Sequence, residues 1–181
     1  MGDGFDTAIK FIIEHEAVYA KHHYGDLDFV VSENVKGDDG GLTKFGVDFR
    51  SHPNEDIENL TYERAVEIYR TEYWTKAHCH ELPFPLSLVQ VDGAVNTGVG
   101  QQNKFLQRVA GVDDDGVYGP KTRDSILGLC VVEGEKEVAL KVIKEREEFY
   151  RRLAASKPEK EKFLEGWLNR LDDLKDEVEK V

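Results

Sequence analysis

A glutamate in the apolar stripe of the first predicted helix is the residue of this chain best suited to acid–base chemistry. At about 100° per residue, Glu16 shares one narrow sector with Phe5, Ile9 and Ile12, whereas Glu14 points to the opposite side. An apolar environment disfavours the charged form of a carboxyl group and raises its pKa. A carboxylic acid that keeps its proton near neutral pH is what a glycosidase needs as general acid. The alternative is a helix-end Glu that reaches solvent or pairs with an Arg.

The elements that must position such a residue are mostly helical. Residues 3–19 are predicted to form the first helix, and residues 20–58 lack a helical period but hold several glycines and short strand-like pieces. Apolar periodicity and the Pro and Thr start signals predict further helices at 61–73, 86–97, 100–110, from Pro120 onward, 133–155 and 159–178. The predicted fold class is therefore mainly α (α+β), with a small β element near residues 27–50.

Composition excludes several classes of function. With 181 residues, 40% of them hydrophobic and 33% charged, the chain is typical of one globular domain or of one domain in two lobes. Its net charge of −12 argues against nucleic acid and anionic membrane as partners. No apolar run reaches about 18 residues, so no membrane insertion is expected, and no secretory signal is visible at the N-terminus. Two cysteines fit a reducing compartment.

Six segments occur in an order and at a spacing that together are specific. They are residues 16–19 (EAVY), 38–47 (DDGGLTKFGV), 91–98 (VDGAVNTG), 106–107 (LQ), 115–122 (DGVYGPKT) and 166–170 (GWLNR). Together they resemble glycoside hydrolase family 108, the phage-type muramidases that carry a C-terminal peptidoglycan-binding half. The resemblance runs from about residue 5 to residue 175 and implies a two-lobed, lysozyme-like helical fold.

The resemblance also implies an activity and a partner. The activity is cleavage of the β-1,4 bond after N-acetylmuramic acid in a peptidoglycan glycan strand. We expect a catalytic lobe at 1–85 and a peptidoglycan-binding lobe at 86–181, packed as one monomeric unit. Such an enzyme acts on the cell wall, in the periplasm or outside the cell, after release in the manner of a phage endolysin or after export.

Site residues follow from the same resemblance. The family's catalytic acid falls on Glu16, and its cross-cleft pair, which positions water or stabilises the oxocarbenium charge, falls on Asp38 and Thr43. Asp39 and then Asp28 are the alternatives for the carboxylate that faces Glu16. An inverting reaction follows if the two carboxyl groups leave room for water. The substrate-binding residues are expected to be Asp39, Gly40, Gly41, Asn96 and Tyr19, and the two glycines let the backbone pass close to a sugar ring.

Two departures from the family keep rival functions open. Ala17 and Val18 replace the usual two glycines after the acid, and residues 20–37 form a longer, divergent connection. The first rival is a non-catalytic peptidoglycan-binding or wall-assembly protein that retains the fold. The second is a lytic transglycosylase, which uses a single Glu and yields anhydro-muramic products.

The remaining polar and aromatic motifs favour structural roles. For Asp92 a structural role is at least as well supported as substrate contact, because a polar group inside an apolar helix must be satisfied. Tyr73-Trp74 is predicted to belong to the core or to a junction between the two lobes, and Trp167 is predicted to be core. The run Asp113-Asp114-Asp115-Gly116 is predicted to be a turn, because it lacks the alternate ligand spacing of a calcium loop. His78-Cys79-His80 lacks further ligands at suitable spacing, so no metal and no cofactor are expected.

Overall fold

The computed structural model describes residues 4–24 and 43–181, with residues 16–24 as helical backbone only. Helices and strands follow in this order: α1 (Phe5–Tyr24), β1 (Thr43–Lys44), β2 (Val47–Asp48), α2 (Tyr62–Ile68), a π-helical segment (Tyr69–Trp74), a 3₁₀ turn (Cys79–Glu81), α3 (Leu86–Thr97), α4 (Val99–Ala110), α5 (Pro120–Glu133), α6 (Glu135–Ser156) and α7 (Pro158–Glu179). The prediction of a mainly α fold with a small β element is confirmed.

Two compact units make up the fold. The larger unit comprises Met1–Ala8 and Tyr73–Val181, and the smaller unit comprises Ile9–Glu72. The predicted division into a catalytic lobe at 1–85 and a binding lobe at 86–181 concerns function and stays a prediction. No helix among the described residues is long and apolar enough to cross a membrane.

Local sequence signals account for the helix boundaries. The Thr61 side chain accepts a hydrogen bond from the Arg64 amide at 3.2 Å and caps α2. Pro120 begins α5, where its missing N–H costs nothing. The predicted helix at 61–73 continues as the π-helical segment rather than as α-helix, a change of winding that apolar periodicity does not encode.

Helix α3 is the centre of the larger unit. Its residues from Leu86 to Ala94 are all buried, although three of them are polar: Ser87, Gln90 and Asp92. Gly93 lies so close to α4 that a Cβ at this position would be 1.8 Å from Oε1 of Gln102. Gln102 is itself buried and donates from Nε2 to Oε1 of Gln90 at 3.2 Å. Close packing of α3 against α4 therefore requires glycine at this position.

The aromatic and sulfur side chains complete this core. Trp74 is 2% exposed and meets Phe5 edge to face, with 5.3 Å between ring centroids, so the predicted core role of Trp74 is confirmed. Cys79 and Cys130 are both buried free thiols. Burial raises the pKa of Cys79 far above its ordinary value and raises that of Cys130 to about 11.

We predict opposite effects for alanine at two helical glycines. Gly93→Ala forces Gln102 out of its buried position, and we expect a loss of about 1–3 kcal/mol in the free energy of unfolding. In α5, a Cβ added at Gly128 meets no atom within 4 Å. Gly128→Ala should therefore raise the free energy of unfolding by about 0.5–1 kcal/mol, because alanine has the higher helix propensity. Urea titrations of both variants test this. Equal effects of the two substitutions would contradict the packing argument.

Candidate functional site

The helix that carries Glu16 has one buried face and one exposed face. Phe5, Ile9 and Ile12 are each at most 1% exposed. The Glu14 side chain is 63% exposed and lies 3.8 Å from the Lys10 ammonium. The buried face and the exposed face that the sequence predicts for α1 are thus confirmed for the residues up to His15. Glu16 and Tyr19 belong to the same helix, but their side chains lie outside the described residues.

Thr43 begins a tight antiparallel hairpin in the smaller unit. Thr43 pairs with Asp48 and Lys44 pairs with Val47, leaving Phe45-Gly46 as a two-residue loop. Both loop residues have positive φ, 53° and 76°, which is the conformation of a type I′ turn and matches the twist of paired strands. One residue separates the hairpin from the Asp-Asp-Gly-Gly segment, whose residues Asp38, Asp39, Gly40 and Gly41 lie outside the described residues.

Contacts with the following segment hold the hairpin in place. The Tyr69 hydroxyl donates to the Phe45 carbonyl at 2.9 Å, and Lys44 Nζ donates to the Glu58 carbonyl at 3.1 Å. The Phe45 ring also meets the Tyr62 ring edge to face at 6.0 Å. These contacts offset the cost of a bulky residue at positive φ, and they fix the half-buried strand on which Thr43 lies.

In the larger unit, Asp92 is the anion of a buried ion-pair network. Its Oδ2 lies 2.6 Å from Arg146 Nη1 of α6, and its Oδ1 lies 2.9 Å from Arg170 Nε of α7. Arg146 Nε also donates to the Tyr150 hydroxyl at 3.1 Å. Burial raises the pKa of the Asp92 carboxyl, but the guanidinium groups of Arg170 and Arg146 outweigh burial and lower it below its ordinary value. Asp92 therefore joins α3, α6 and α7, which is the structural role considered for it.

Asn96 lies one turn after Asp92 and is partly exposed. Its Nδ2 donates to the Asp92 backbone carbonyl at 2.7 Å. This contact satisfies one amide proton of Asn96, and its role in substrate binding stays a prediction.

A second polar network holds the loop before α5. Gln107 is 1% exposed, donates from Nε2 to Asp115 Oδ1 at 2.8 Å and to the Val117 carbonyl at 3.0 Å, and accepts from the Gly116 amide at 2.8 Å. The Asp115 carboxylate also accepts from the Val117 amide at 2.8 Å, and these hydrogen bonds lower the pKa of Asp115. Through these hydrogen bonds, the buried Gln107 side chain holds the Asp115-Gly116 motif in its conformation.

The other two aspartates of this acidic loop have cationic partners. Arg108 Nε lies 2.7 Å from Asp114 Oδ2, and Lys121 Nζ lies 3.4 Å from Asp113 Oδ2. The loop is non-helical, and its three carboxylates each contact protein donors. This arrangement agrees with a structural turn rather than a calcium loop.

Trp167 supports the Asp92 network from the side. It is half-buried and stacks on Tyr150, with ring centroids 4.8 Å apart, and on Phe163 at 5.9 Å. Phe163 is 44% exposed. The prediction that Trp167 belongs to the core is therefore wrong, because the residue is only half-buried although it stacks on two aromatic rings.

One cluster of metal-ligating side chains occurs among the described residues. His78, His80 and Glu81 each offer a ligand atom, and these atoms lie within 4.8 Å of one another. The sequence pattern indicates the two histidines but not Glu81, because the three-residue 3₁₀ turn that brings Glu81 beside His78 is too short to show a periodic pattern.

We predict that Asp92→Asn lowers the free energy of unfolding by about 3–5 kcal/mol, because it removes the carboxylate that pairs with the buried Arg146 guanidinium. Asp113→Asn is the matched control, since the Asp113 side chain is 93% exposed and surface pairs contribute about 0–1 kcal/mol. Chemical denaturation at neutral pH measures both. A loss below about 1 kcal/mol for Asp92→Asn would show that the network is not required for stability.

The lowered pKa of Asp92 also predicts a pH dependence. The ionised carboxylate contributes its full stabilisation above the pKa of an unfolded Asp, about 3.9. That contribution is lost as the pH falls through the lower, native pKa. The difference in unfolding free energy between wild type and Asp92→Asn should therefore narrow below about pH 4. Denaturant titrations from neutral pH to about pH 2 measure the narrowing, and a constant difference would contradict it.

Comparisons with known proteins agree with this organisation. Residues 9–98 match the family described as Glycosyl hydrolase 108, and residues 101–172 match the family described as Predicted Peptidoglycan domain. The chain is similar to the solved structure of Brucella abortus SagA, with 23% identity, a TM-score of 0.73, and coverage of 96% of this chain and 92% of that chain. That likeness shows the fold. No curated protein sequence matches the chain. The chain therefore belongs to glycosyl hydrolase family 108 and carries a peptidoglycan domain in its second half.

Proposed function

We propose that the protein is an N-acetylmuramidase that hydrolyses the β-1,4 bond between N-acetylmuramic acid and N-acetylglucosamine in peptidoglycan. The observation that carries the proposal is the match of residues 9–98 to glycosyl hydrolase 108, which includes most of α1 and Glu16. The match of residues 101–172 to a peptidoglycan domain supports the same polymer as partner. Under this proposal, residues 1–85 form the catalytic lobe and residues 86–181 form the lobe that binds the glycan.

The burial pattern of α1 supports Glu16 as the general acid. Glu16 follows Ile12, which is 0% exposed, by four residues in a continuous helix. Residues four apart share a helix face. An apolar face favours the protonated form of a carboxyl group, which is the form that the proposed acid needs, whereas Glu14 lies on the exposed side.

The proposed reaction needs a second group on the other side of the scissile bond. Glu16 donates its proton to the leaving glycosidic oxygen as the bond to the anomeric carbon breaks. Asp38 accepts a proton from a water molecule, the Thr43 hydroxyl orients that water, and the water oxygen bonds to the anomeric carbon with inversion. The hairpin that begins at Thr43 is held by Tyr69 and Lys44, so it is a rigid element suited to this task.

Binding of the glycan is assigned to the residues around these groups. We propose that Asp39, Gly40, Gly41, Asn96 and Tyr19 contact the sugar rings. Since cross-linked peptidoglycan lies outside the inner membrane, the enzyme acts there.

We predict that Glu16→Gln lowers the rate of peptidoglycan hydrolysis by about 10²–10⁴-fold, because Gln keeps the size of the side chain but cannot donate the proton. Glu14→Gln is the matched control on the same helix and should retain the wild-type rate, because Glu14 pairs only with Lys10 at the surface among its described contacts. Mass spectrometry of muropeptides released from purified peptidoglycan gives both the rate and the product ends.

The products separate the muramidase from its rivals. Reducing, hydrated muramic ends that disappear in Glu16→Gln support the proposal. Anhydro-muramic ends would indicate a lytic transglycosylase. Intact peptidoglycan binding with no released products would indicate a non-catalytic wall protein, and activity that survives Glu16→Gln would refute the assignment of the acid.

We predict that Asp38→Asn lowers the same rate by about 10²-fold or more, because it removes the base that activates water. Asp39→Asn and Asp28→Asn are the controls, and each should affect the rate less than Asp38→Asn. Thr43→Val should lower the rate without changing the melting temperature, because it removes a hydroxyl but keeps the shape of the side chain. A larger loss in Asp39→Asn or Asp28→Asn would move the role of base to that residue.

A further inference from the structure

A tight turn in the larger unit brings two imidazoles and a carboxylate together. His78 precedes the 3₁₀ turn Cys79–Glu81, so that the donor atoms of His78, His80 and Glu81 lie within 4.8 Å of one another. Glu81 Oε1 lies 2.9 Å from His78 Nδ1 and 3.8 Å from His80 Nε2. We call these three residues the His-His-Glu cluster.

The separations within the His-His-Glu cluster fit one bound ion. Zinc lies about 2.0–2.2 Å from nitrogen and oxygen ligands, so two ligands of one tetrahedral ion are about 3–4 Å apart. The 3.8 Å distance from Glu81 Oε1 to His80 Nε2 lies within this range, and the 2.9 Å distance to His78 Nδ1 lies just below it. Two histidines and one glutamate are also a donor set that zinc uses when a fourth position stays open to water or another ligand.

Neighbouring groups hold two members of the cluster in place. The Tyr118 ring stacks on the His78 imidazole with ring centroids 4.5 Å apart and an interplanar angle of 13°. Arg123 Nη1 lies 3.9 Å from Glu81 Oε2, the carboxylate oxygen that does not contact His78. Such partners orient the ligands of metal sites.

The backbone of the turn is also fixed. The Glu81 amide donates to the His78 carbonyl at 3.0 Å, the Leu82 amide donates to the Cys79 carbonyl at 3.1 Å, and Cys79 is fully buried. His78 adopts a left-handed conformation, with φ of 55°, which costs free energy for a residue with a Cβ. The surrounding hydrogen bonds and the stacked Tyr118 ring maintain this conformation, and it directs His78 toward Glu81.

We propose that His78, His80 and Glu81 form a surface binding site for a divalent transition-metal ion of the zinc class. The site leaves at least one coordination position open. An ion bound there links three side chains of the turn that lies between the π-helical segment and α3. The proposal does not depend on the hydrolase activity, because it uses none of the residues assigned to catalysis.

The test is metal binding by the full chain after treatment with a chelator. Isothermal titration with zinc chloride should show one saturable site, and Co²⁺ should give the visible absorption of a low-coordinate site with nitrogen ligands. His80→Ala and Glu81→Gln should each lower the affinity by about tenfold or more, since even changes beyond the ligand shell cost about 10–100-fold. Zinc should also raise the melting temperature of the wild type, but not of these variants.

Controls separate this site from other histidines of the chain. His52→Ala, in the smaller unit, and the double variant His22→Ala/His23→Ala should bind zinc as the wild type does. Unchanged affinity in His80→Ala and Glu81→Gln would overturn the proposal. Absence of saturable binding in the wild type, or loss of binding in the His22/His23 variant alone, would also overturn it.

Discussion

The carboxylate of Asp92 imposes the strongest electrostatic constraint on the larger unit. It is fully buried and is bound by Arg146 of α6 and Arg170 of α7. A buried charge without its counterion is costly in free energy, so the arrangement is stable only while the carboxylate and the guanidinium groups stay together. Because a mispaired state would bury an uncompensated charge, the network favours one packing of α3 against the two long C-terminal helices. The Tyr150 hydroxyl accepts from Arg146, and the Tyr150 ring stacks on Trp167.

The Asp92 network and the Gln107 network show which of the sequence motifs have a structural role. The VDGAVNTG and GWLNR segments meet in the ion pair between Asp92 and Arg170, and the LQ and DGVYGPKT segments meet where Gln107 binds Asp115. Four of the six segments that identify the family thus contain residues that build the scaffold. The two remaining segments, which carry Glu16 and Asp38, are the ones to which the proposed chemistry is assigned. The motifs of a family therefore include residues that stabilise the fold as well as residues to which catalysis is assigned, and the structure is needed to separate the two groups.

The sequence predicted the helices well because amphipathic periodicity and caps are local signals. It also distinguished the exposed Glu14 from the buried stripe of Ile9 and Ile12. It did not predict the π-helical segment or the left-handed His78, since both depend on tertiary packing. The sequence also did not predict the ion-pair partners of Asp92. Arg146 is 54 positions away along the chain, and residue spacing carries no information about contacts over that distance. The pairing of Glu16 with Asp38 stays a prediction, as it rests on resemblance alone.

The two cysteines have a consequence for the redox chemistry of the fold. Both thiols are free and buried, and their raised pKa values leave almost no thiolate to attack a disulfide or an oxidant. The described fold contains no bond that forms or breaks with redox potential. The packing of the described residues around Cys79 and Cys130 therefore does not depend on a disulfide.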